Sequence, residues 1–182
     1  MLRPSAEGLR LADANRNRLR EGLRVLEDVA RFVLEDAGLT QRLKGLRHDL
    51  AGGSGEALRR AQDTALLGAR RAGEDVGAFA ENADEARRPD MASLVMANAR
   101  RAQESLRVLE ELGKLPGWGH APDSDTCKRA RFALYEVEQT LVSRVLRQEK
   151  RGKVRGLYVI LDPQQTKGRA EAEVARAALR GG

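Results

Sequence analysis

The chain has 182 residues, enough for one domain with a substantial core and too few for two full-sized ones. Ala, Leu, Arg and Glu dominate while aromatics make up only 3%, a balance that favours long amphipathic helices over sheets. A net charge of +6 suits an anionic ligand, and a single cysteine, Cys127, excludes an intrachain disulfide and a cysteine-based metal cage.

In chain order, Pro4 and Ser5 open an apolar helical pattern through Leu11, Leu19, Leu23, Leu26, Ala30 and Val33, with Gly38 placed to stop it. A second helix is expected from Thr40 to Leu50, ended by Gly52 and Gly53, and a third from a Ser54 cap to about Arg71. Residues 73–89 form a connection carrying EDVGAF. Asp90 caps a second long helix from Met91 to about Lys114, PGWGHAPDSD is a loop, and residues from about Asp125 to Glu149 make the last long helix of the main domain. Composition then changes at KRGKVRG. The run LYVIL, residues 157–161, reads as a buried parallel strand, followed by DPQQTKG and a helical EAEVARAALRGG. The N-terminus has no apolar signal core and no run has membrane-spanning length, so a soluble, cytoplasmic protein is expected.

Two of these segments repeat each other. ANRNRLREGLRVLED (residues 14–28) and ANARRAQESLRVLEE (97–111) share Ala, Asn, Arg, Glu, Leu, Arg, Val, Leu and Glu at the same offsets, 83 residues apart. A second echo follows: Lys44, Arg47 and Leu50 align with Lys128, Arg131 and Leu134. Two similar segments in register predict two related halves about a pseudo-twofold axis. The expected fold is therefore all-α, a bundle of long helices with an internal repeat over residues 1–150, followed over 151–182 by a β-α fragment.

On a helical wheel, Leu11, Leu19, Leu26, Val29 and Val33 share one face. Asn15 and Arg18 fall within it beside Gly22, and Asn98, Arg101 and Ser105 occupy the same places in the second copy. Polar groups inside an apolar stripe need partners. One arrangement is a reciprocal lock, Arg18 with Glu104 and Arg101 with Glu21, where the helices cross at Gly22 and Ser105. The other is a cavity at the pseudo-twofold in which both Asn-Arg faces hold a small anion. Lys44, Arg47 and His48 add basic groups within two turns, whereas GGSGE lacks the Lys-Ser/Thr ending of a P-loop and reads as a turn plus cap. His120 lies in a loop.

The strings LADANRNRLREGLRVLEDVARF, RLKGLRHDL, EDVGAF and ANARRAQESLRVLEELGKL closely resemble the N-terminal domain of certain bacterial two-domain thiamine-phosphate synthases, over roughly residues 9–146. That domain looks like the alternative, strictly monofunctional hydroxymethylpyrimidine phosphate kinase. The tail GLYVILDPQQTKGRAEAEVARAALRGG separately resembles the first strand and helix of the synthase (β/α)₈ barrel, whose phosphate loops lie beyond it. EDVGAF departs from the family pattern at Ala78, where a Thr usually stands.

The resemblance implies ATP-dependent phosphorylation of 4-amino-5-hydroxymethyl-2-methylpyrimidine phosphate to the diphosphate, with ATP as co-substrate. The site itself is assigned from physical chemistry. Phosphoryl transfer needs positioning and charge neutralisation, and without a P-loop these fall to cationic side chains and Mg2+. Arg18 and Arg101, with Glu21, are the expected catalytic groups. Asn15, Asn98, Lys44 and Arg47 are the expected substrate and phosphate ligands; Asp13, Asp28, Asp63 and Asp75 are possible magnesium ligands that spacing alone does not separate, and Asp75 is the one assigned. The partners are thus small molecules, with neither nucleic acid nor membrane, and the reading admits a homodimer. The competing class is a non-catalytic helical accessory or dimerisation module.

Overall fold

The structure, a computed structural model, describes residues 4–51, 56–75, 87–119, 122–153 and 159–181, without the side chains of 58, 59 and 153. Ser54, Ala78, His120 and the glycines of GGSGE lie outside the described residues, as do Leu157 and Tyr158. No strand occurs among the described residues, and no described helix is long and apolar enough to cross a membrane. The chain divides into two compact units, Met1–Gln148 and Glu149–Gly182.

The helix starts follow capping chemistry. The first four N–H groups of a helix have no intrahelical acceptor, so a short polar side chain just before the first turn supplies one. Ser5 Oγ accepts from Gly8 N at 3.1 Å to open α1 (Ala6–Asp28). Asp36 opens α2 (Ala37–Leu50) by accepting from Leu39 N at 3.0 Å. After α3 (Glu56–Ala69), Asp90 opens α4 (Met91–Leu112) by accepting from Ser93 N at 2.7 Å. The last helix of the main unit, α5, spans Ser124–Lys153.

The stop of the first helix is a correction. α1 passes into a π-helical turn, Val29–Val33, and the chain then reverses at Glu35, which has a positive φ of 50°. Asp36 N donates to Ala30 O at 2.9 Å across that reversal. Gly38 instead sits in the first turn of α2. Glu35 and the Asp36 cap together end one helix and begin the next, so no glycine is needed at the break.

Core residues recur mostly at three- and four-residue spacing, the pattern that keeps a seam turned towards a neighbouring helix. In α4 they are Ala92, Val95, Ala99, Ala102, Leu106 and Leu109, and in α5 Cys127, Ala130, Leu134, Val137, Leu141 and Val145. In α1 they are Ala12, Leu19, Leu23 and Leu26, with Leu11 left 47% exposed. Leu19, Leu26 and Val29 of the expected face are buried, with Asn15 and Gly22 among them, and the correction is confined to its edge, where Leu11 and Arg18 are exposed while Leu23 and Ala30 extend the buried side.

α1 and α4 pack closely enough that a side chain at one position would not fit. A Cβ at Gly22 would lie 2.9 Å from the backbone O of Asn98 and 3.3 Å from Ala102 Cβ. Gly22 therefore meets Asn98 and Ala102, where Ser105 was the expected neighbour. Gly113 serves the same purpose at the end of α4, where a Cβ would lie 2.8 Å from Ser124 N at the start of α5.

In the second unit, Asp162 caps a 3-10 turn, Pro163–Gln165, and α6 (Glu171–Gly181) follows. The strand expected over 157–161 is not formed at its described residues: Val159 to Leu161 are irregular, and Ile160 is 82% exposed. A parallel strand takes its hydrogen bonds from neighbouring strands, and none is present among the described residues.

Two glycine substitutions separate close packing from helix propensity. Gly22→Ala should lower stability by about 1–3 kcal/mol, because the nearest atom is backbone and cannot swing away. Gly45→Ala, in α2 with nothing within 4 Å of the added carbon, should raise it by about 0.5–1 kcal/mol. Urea midpoints moving in opposite directions check both.

Candidate functional site

Two carboxylates stand deep in the main unit, Glu27 at 1% and Glu110 at 3% exposure. They occupy the same position in the two sequence copies, and each is met by an arginine three residues back on its own helix and by another from a later helix. Arg47 of α2 hydrogen-bonds Glu27, with Arg24 one turn back at 3.6 Å. Arg131 of α5 bonds Glu110 at 3.0 Å, with Arg107 one turn back at 2.8 Å and Lys114 at 3.7 Å. A buried carboxylate without partners would cost several kcal/mol, so these arginines are obligatory neighbours. This explains the second echo of the sequence: Arg47 and Arg131 recur because they close on the two glutamates.

Burial pushes the Glu110 carboxyl up, but the Arg131 hydrogen bond and the charges of Arg131, Arg107 and Lys114 together hold it below its ordinary value. Cys127 lies on α5, one turn before Arg131. Burial, with the nearby charges of Asp123 and Glu110, pushes its thiol up to about 12.

Around Glu27 the main unit opens a cavity of 770 Å³ walled by α1, α2 and α3. Its cations are Arg16, Arg20, Arg24, Arg31, Lys44, Arg47 and Arg60, with His48 beside them, and its carboxylates are Glu27 and Asp63; Leu19, Leu23, Leu50, Ala51 and Pro122 complete the lining. Helical spacing produces the cationic wall. Arg16, Arg20, Arg24 and Arg31 follow one another at four or seven residues along the first helical stretch, and Lys44 and Arg47 share a side of α2. Arg16 Nη2 meets Asp63 Oδ1 at 3.1 Å, while its Nη1 is buried without a hydrogen-bond partner among the described residues. Above the cavity, Asp13 takes a two-point contact from Arg70 at 2.7 and 2.9 Å, fixing the end of α3 to α1.

Of the expected site residues, Lys44 and Arg47 meet in this cavity. Asn15 and Asn98 bond inside their own helices, each donating to the carbonyl four residues back, Leu11 O and Leu94 O, at 2.9 Å. Arg18, Glu21 and Arg101 are exposed and do not line the cavity, which corrects the wheel placement of Arg18 and Arg101 inside the apolar face. Each stands at the solvent edge of its helix's buried stripe. No Arg18–Glu104 ion pair forms among the described residues, so the reciprocal lock is not made on that side. Asp75 is exposed just after the 3-10 turn Ala72–Glu74 and away from the cavity lining. No group of three or more His, Cys, Asp or Glu side chains suited to a metal occurs among the described residues.

The residues missed were Glu27, Arg16 and Arg20. Glu27 carried a visible signal, since it is repeated as Glu110. Arg16 and Arg20 carried the opposite signal, a difference between copies: Ala99 and Gln103 stand at their places in α4. Ala99 is fully buried, and Gln103 donates to Glu138 at 2.6 Å. The positions that add Arg16 and Arg20 to the cavity in α1 are thus held by small and neutral groups in α4.

A model of the ThiD2 family matches residues 10–140. A thiamine-phosphate synthase from Synechocystis sp. is 39% identical over 175 residues, covering 95% of this chain and 46% of the relative. Another from Thermosynechococcus vestitus is 38% identical over 186 residues, covering 100% of this chain and 48% of the relative. One from Rhodopirellula baltica is 49% identical over 106 residues, 58% of this chain and 27% of its own length. The chain spans less than half the length of these relatives. No solved structure matches it significantly.

Two outcomes test the electrostatics around the second clamp. Because the folded Glu110 carboxyl is held below its ordinary 4.5, its contribution is fully present above that pH and is lost as pH falls through the lower folded value. Glu110→Gln should therefore be less stable than the parent chain at pH 7, and the gap should narrow in urea titrations below about pH 4.5. Cys127, held protonated, should resist a disulfide-exchange reagent at pH 8 in the native chain and react within the dead time once urea unfolds it.

Proposed function

The chain belongs to the ThiD2 family, and from that premise we propose that it makes 4-amino-5-hydroxymethyl-2-methylpyrimidine diphosphate from the monophosphate and ATP, a step of thiamine biosynthesis in the cytoplasm. The observation that carries the reading is the cationic cavity of α1, α2 and α3, which lies within the family-matched residues and holds more positive charge than its own carboxylates neutralise. In the reaction, an oxygen of the acceptor's phosphate attacks the γ-phosphorus of ATP. The bond from that phosphorus to the β-bridging oxygen breaks, ADP leaves, and the new phosphoanhydride is the product. No covalent intermediate with the protein is required; positioning and charge neutralisation supply the rate.

Each side chain has a task in that scheme. Glu27 holds Arg47 in the cavity wall, and Lys44 offers an exposed ammonium one turn away on the same helix. Mg2+, when bound, would neutralise phosphate charge, and it commonly needs only one or two carboxylates because the phosphates supply further oxygens. Asp63, half-exposed in the cavity wall, fits that requirement better than Asp75, which does not line the cavity. The repeated Glu-Arg clamps support two halves related by a pseudo-twofold. Relatives of about twice this length support reading residues 151–182 as the first strand and helix of a synthase barrel.

The test is direct. With ATP, Mg2+ and the pyrimidine monophosphate, the purified chain should yield the diphosphate by phosphorus NMR. Lys44→Met should cut kcat/KM by about 100-fold or more while the circular dichroism is retained. Arg18→Met and Arg101→Met, which remove exposed charges outside the cavity, tell the cavity site from the twofold-face site: losses there with Lys44→Met unaffected would move the site. No diphosphate from the parent chain would favour a non-catalytic helical module.

A further inference from the structure

Charge decides which phosphate the cavity can take. Seven cations and two carboxylates line the cavity. The two lining carboxylates are engaged by cations of that wall, Glu27 by Arg47 and Arg24 and Asp63 by Arg16, and two carboxylates outside the lining pair with it as well, Glu56 with Arg60 and Asp28 with Arg24. Arg20 and Lys44 line the cavity with no carboxylate partner among the described residues, and Arg31 lies over the Phe32 ring at 4.7 Å. Arg16 keeps one buried guanidinium nitrogen without an acceptor among the described residues. Concentrating that much like charge without a ligand is unfavourable, and a neighbouring polyanion relieves it.

A phosphomonoester brings about two negative charges, and a triphosphate chain brings about four. Seven cations against four paired carboxylates leave an excess of three, which a phosphomonoester compensates only in part and a triphosphate covers, and the run Arg16–Arg20–Arg24 extends over two helical turns, about 12 Å, the reach of a chain of phosphates and not of a single one. The volume, 770 Å³, falls in the range of about 300–1,000 Å³ of small-molecule sites. The second half supplies an internal comparison: it has the same buried glutamate and arginines, but Ala99 and Gln103 stand where Arg16 and Arg20 stand in the first. The cations beyond the clamp are therefore not needed to bury the glutamate.

We infer that the cavity of α1, α2 and α3 binds the triphosphate chain of the phosphoryl donor, so that the phosphomonoester acceptor reaches the γ-phosphate from outside it. As an assignment of donor rather than acceptor, the inference rests on the kinase reading; as a polyphosphate site it stands on the cavity alone.

Calorimetric titration of the whole chain with inorganic triphosphate, pyrophosphate and phosphate tests the site without turnover. Triphosphate should bind at least about tenfold tighter than phosphate and weaken steeply with salt. Arg20→Met should lose about tenfold in triphosphate affinity with an unchanged melting temperature, whereas Lys128→Met, at the second-copy counterpart of Lys44, should bind as the parent does. In turnover assays Arg20→Met should raise KM for ATP and leave that for the pyrimidine phosphate. A raised acceptor KM with an unchanged donor KM, or triphosphate bound no tighter than phosphate, would overturn the inference. Tight triphosphate binding with no diphosphate formed would support the polyphosphate site and end the kinase reading instead.

Discussion

A carboxylate taken almost wholly out of water must be surrounded by cations, and Glu27 and Glu110 impose that demand at the same place in the two copies of the repeat. Each glutamate sits near the end of a long helix and draws in one arginine from the helix that follows, Arg47 from α2 and Arg131 from α5. The ion clusters thus set how the later helices lie against α1 and α4. The close approach at Gly22 sets how α1 and α4 lie against each other. Apolar seams supply most of the favourable burial, but a seam of Leu and Ala alone tolerates sliding; a buried charge with two or three fixed partners does not.

An asymmetry grows from that common frame. In the second half Glu110 is met by Arg131, Arg107 and Lys114, and further back along α4 Ala99 is buried and Gln103 is bonded to Glu138. In the first half Arg16 and Arg20 replace the small and neutral groups, α3 stands off behind the Arg16–Asp63 and Arg70–Asp13 contacts, and the space between is a basic cavity. One copy of the clamp holds helices together, and the other also presents its arginines to a cavity.

Several features were legible before any coordinates. The caps at Ser5 and Asp90 follow from single residues and their neighbours, because a cap bond spans only three positions. Lys44 and Arg47 were legible because a helix spacing of three puts them on one side. The reversal at Glu35 was not, since a non-glycine residue enters the left-handed region only when bonds such as Asp36 N to Ala30 O hold it there. Arg18 was placed inside the apolar face because the wheel was centred on Leu11, Leu26 and Val33. In the folded unit Leu11 is half-exposed while Leu19, Leu26 and Val29 of the same expected face are buried, so Arg18 stands at the solvent edge of the buried stripe and not within it.

What the sequence by itself determined is therefore the local and the repeated: helical class, most helix starts, and the recurrence of one string of residues with its following Lys and Arg. Helix propensity, capping and periodicity act over a few residues and are written in them. Only the tertiary structure decided where the buried face of α1 ends and which of the repeated arginines share a cavity. Those depend on how helices from separate parts of the chain cross, and a crossing is settled by close contacts such as Gly22 against Asn98 and Ala102, which no single segment contains.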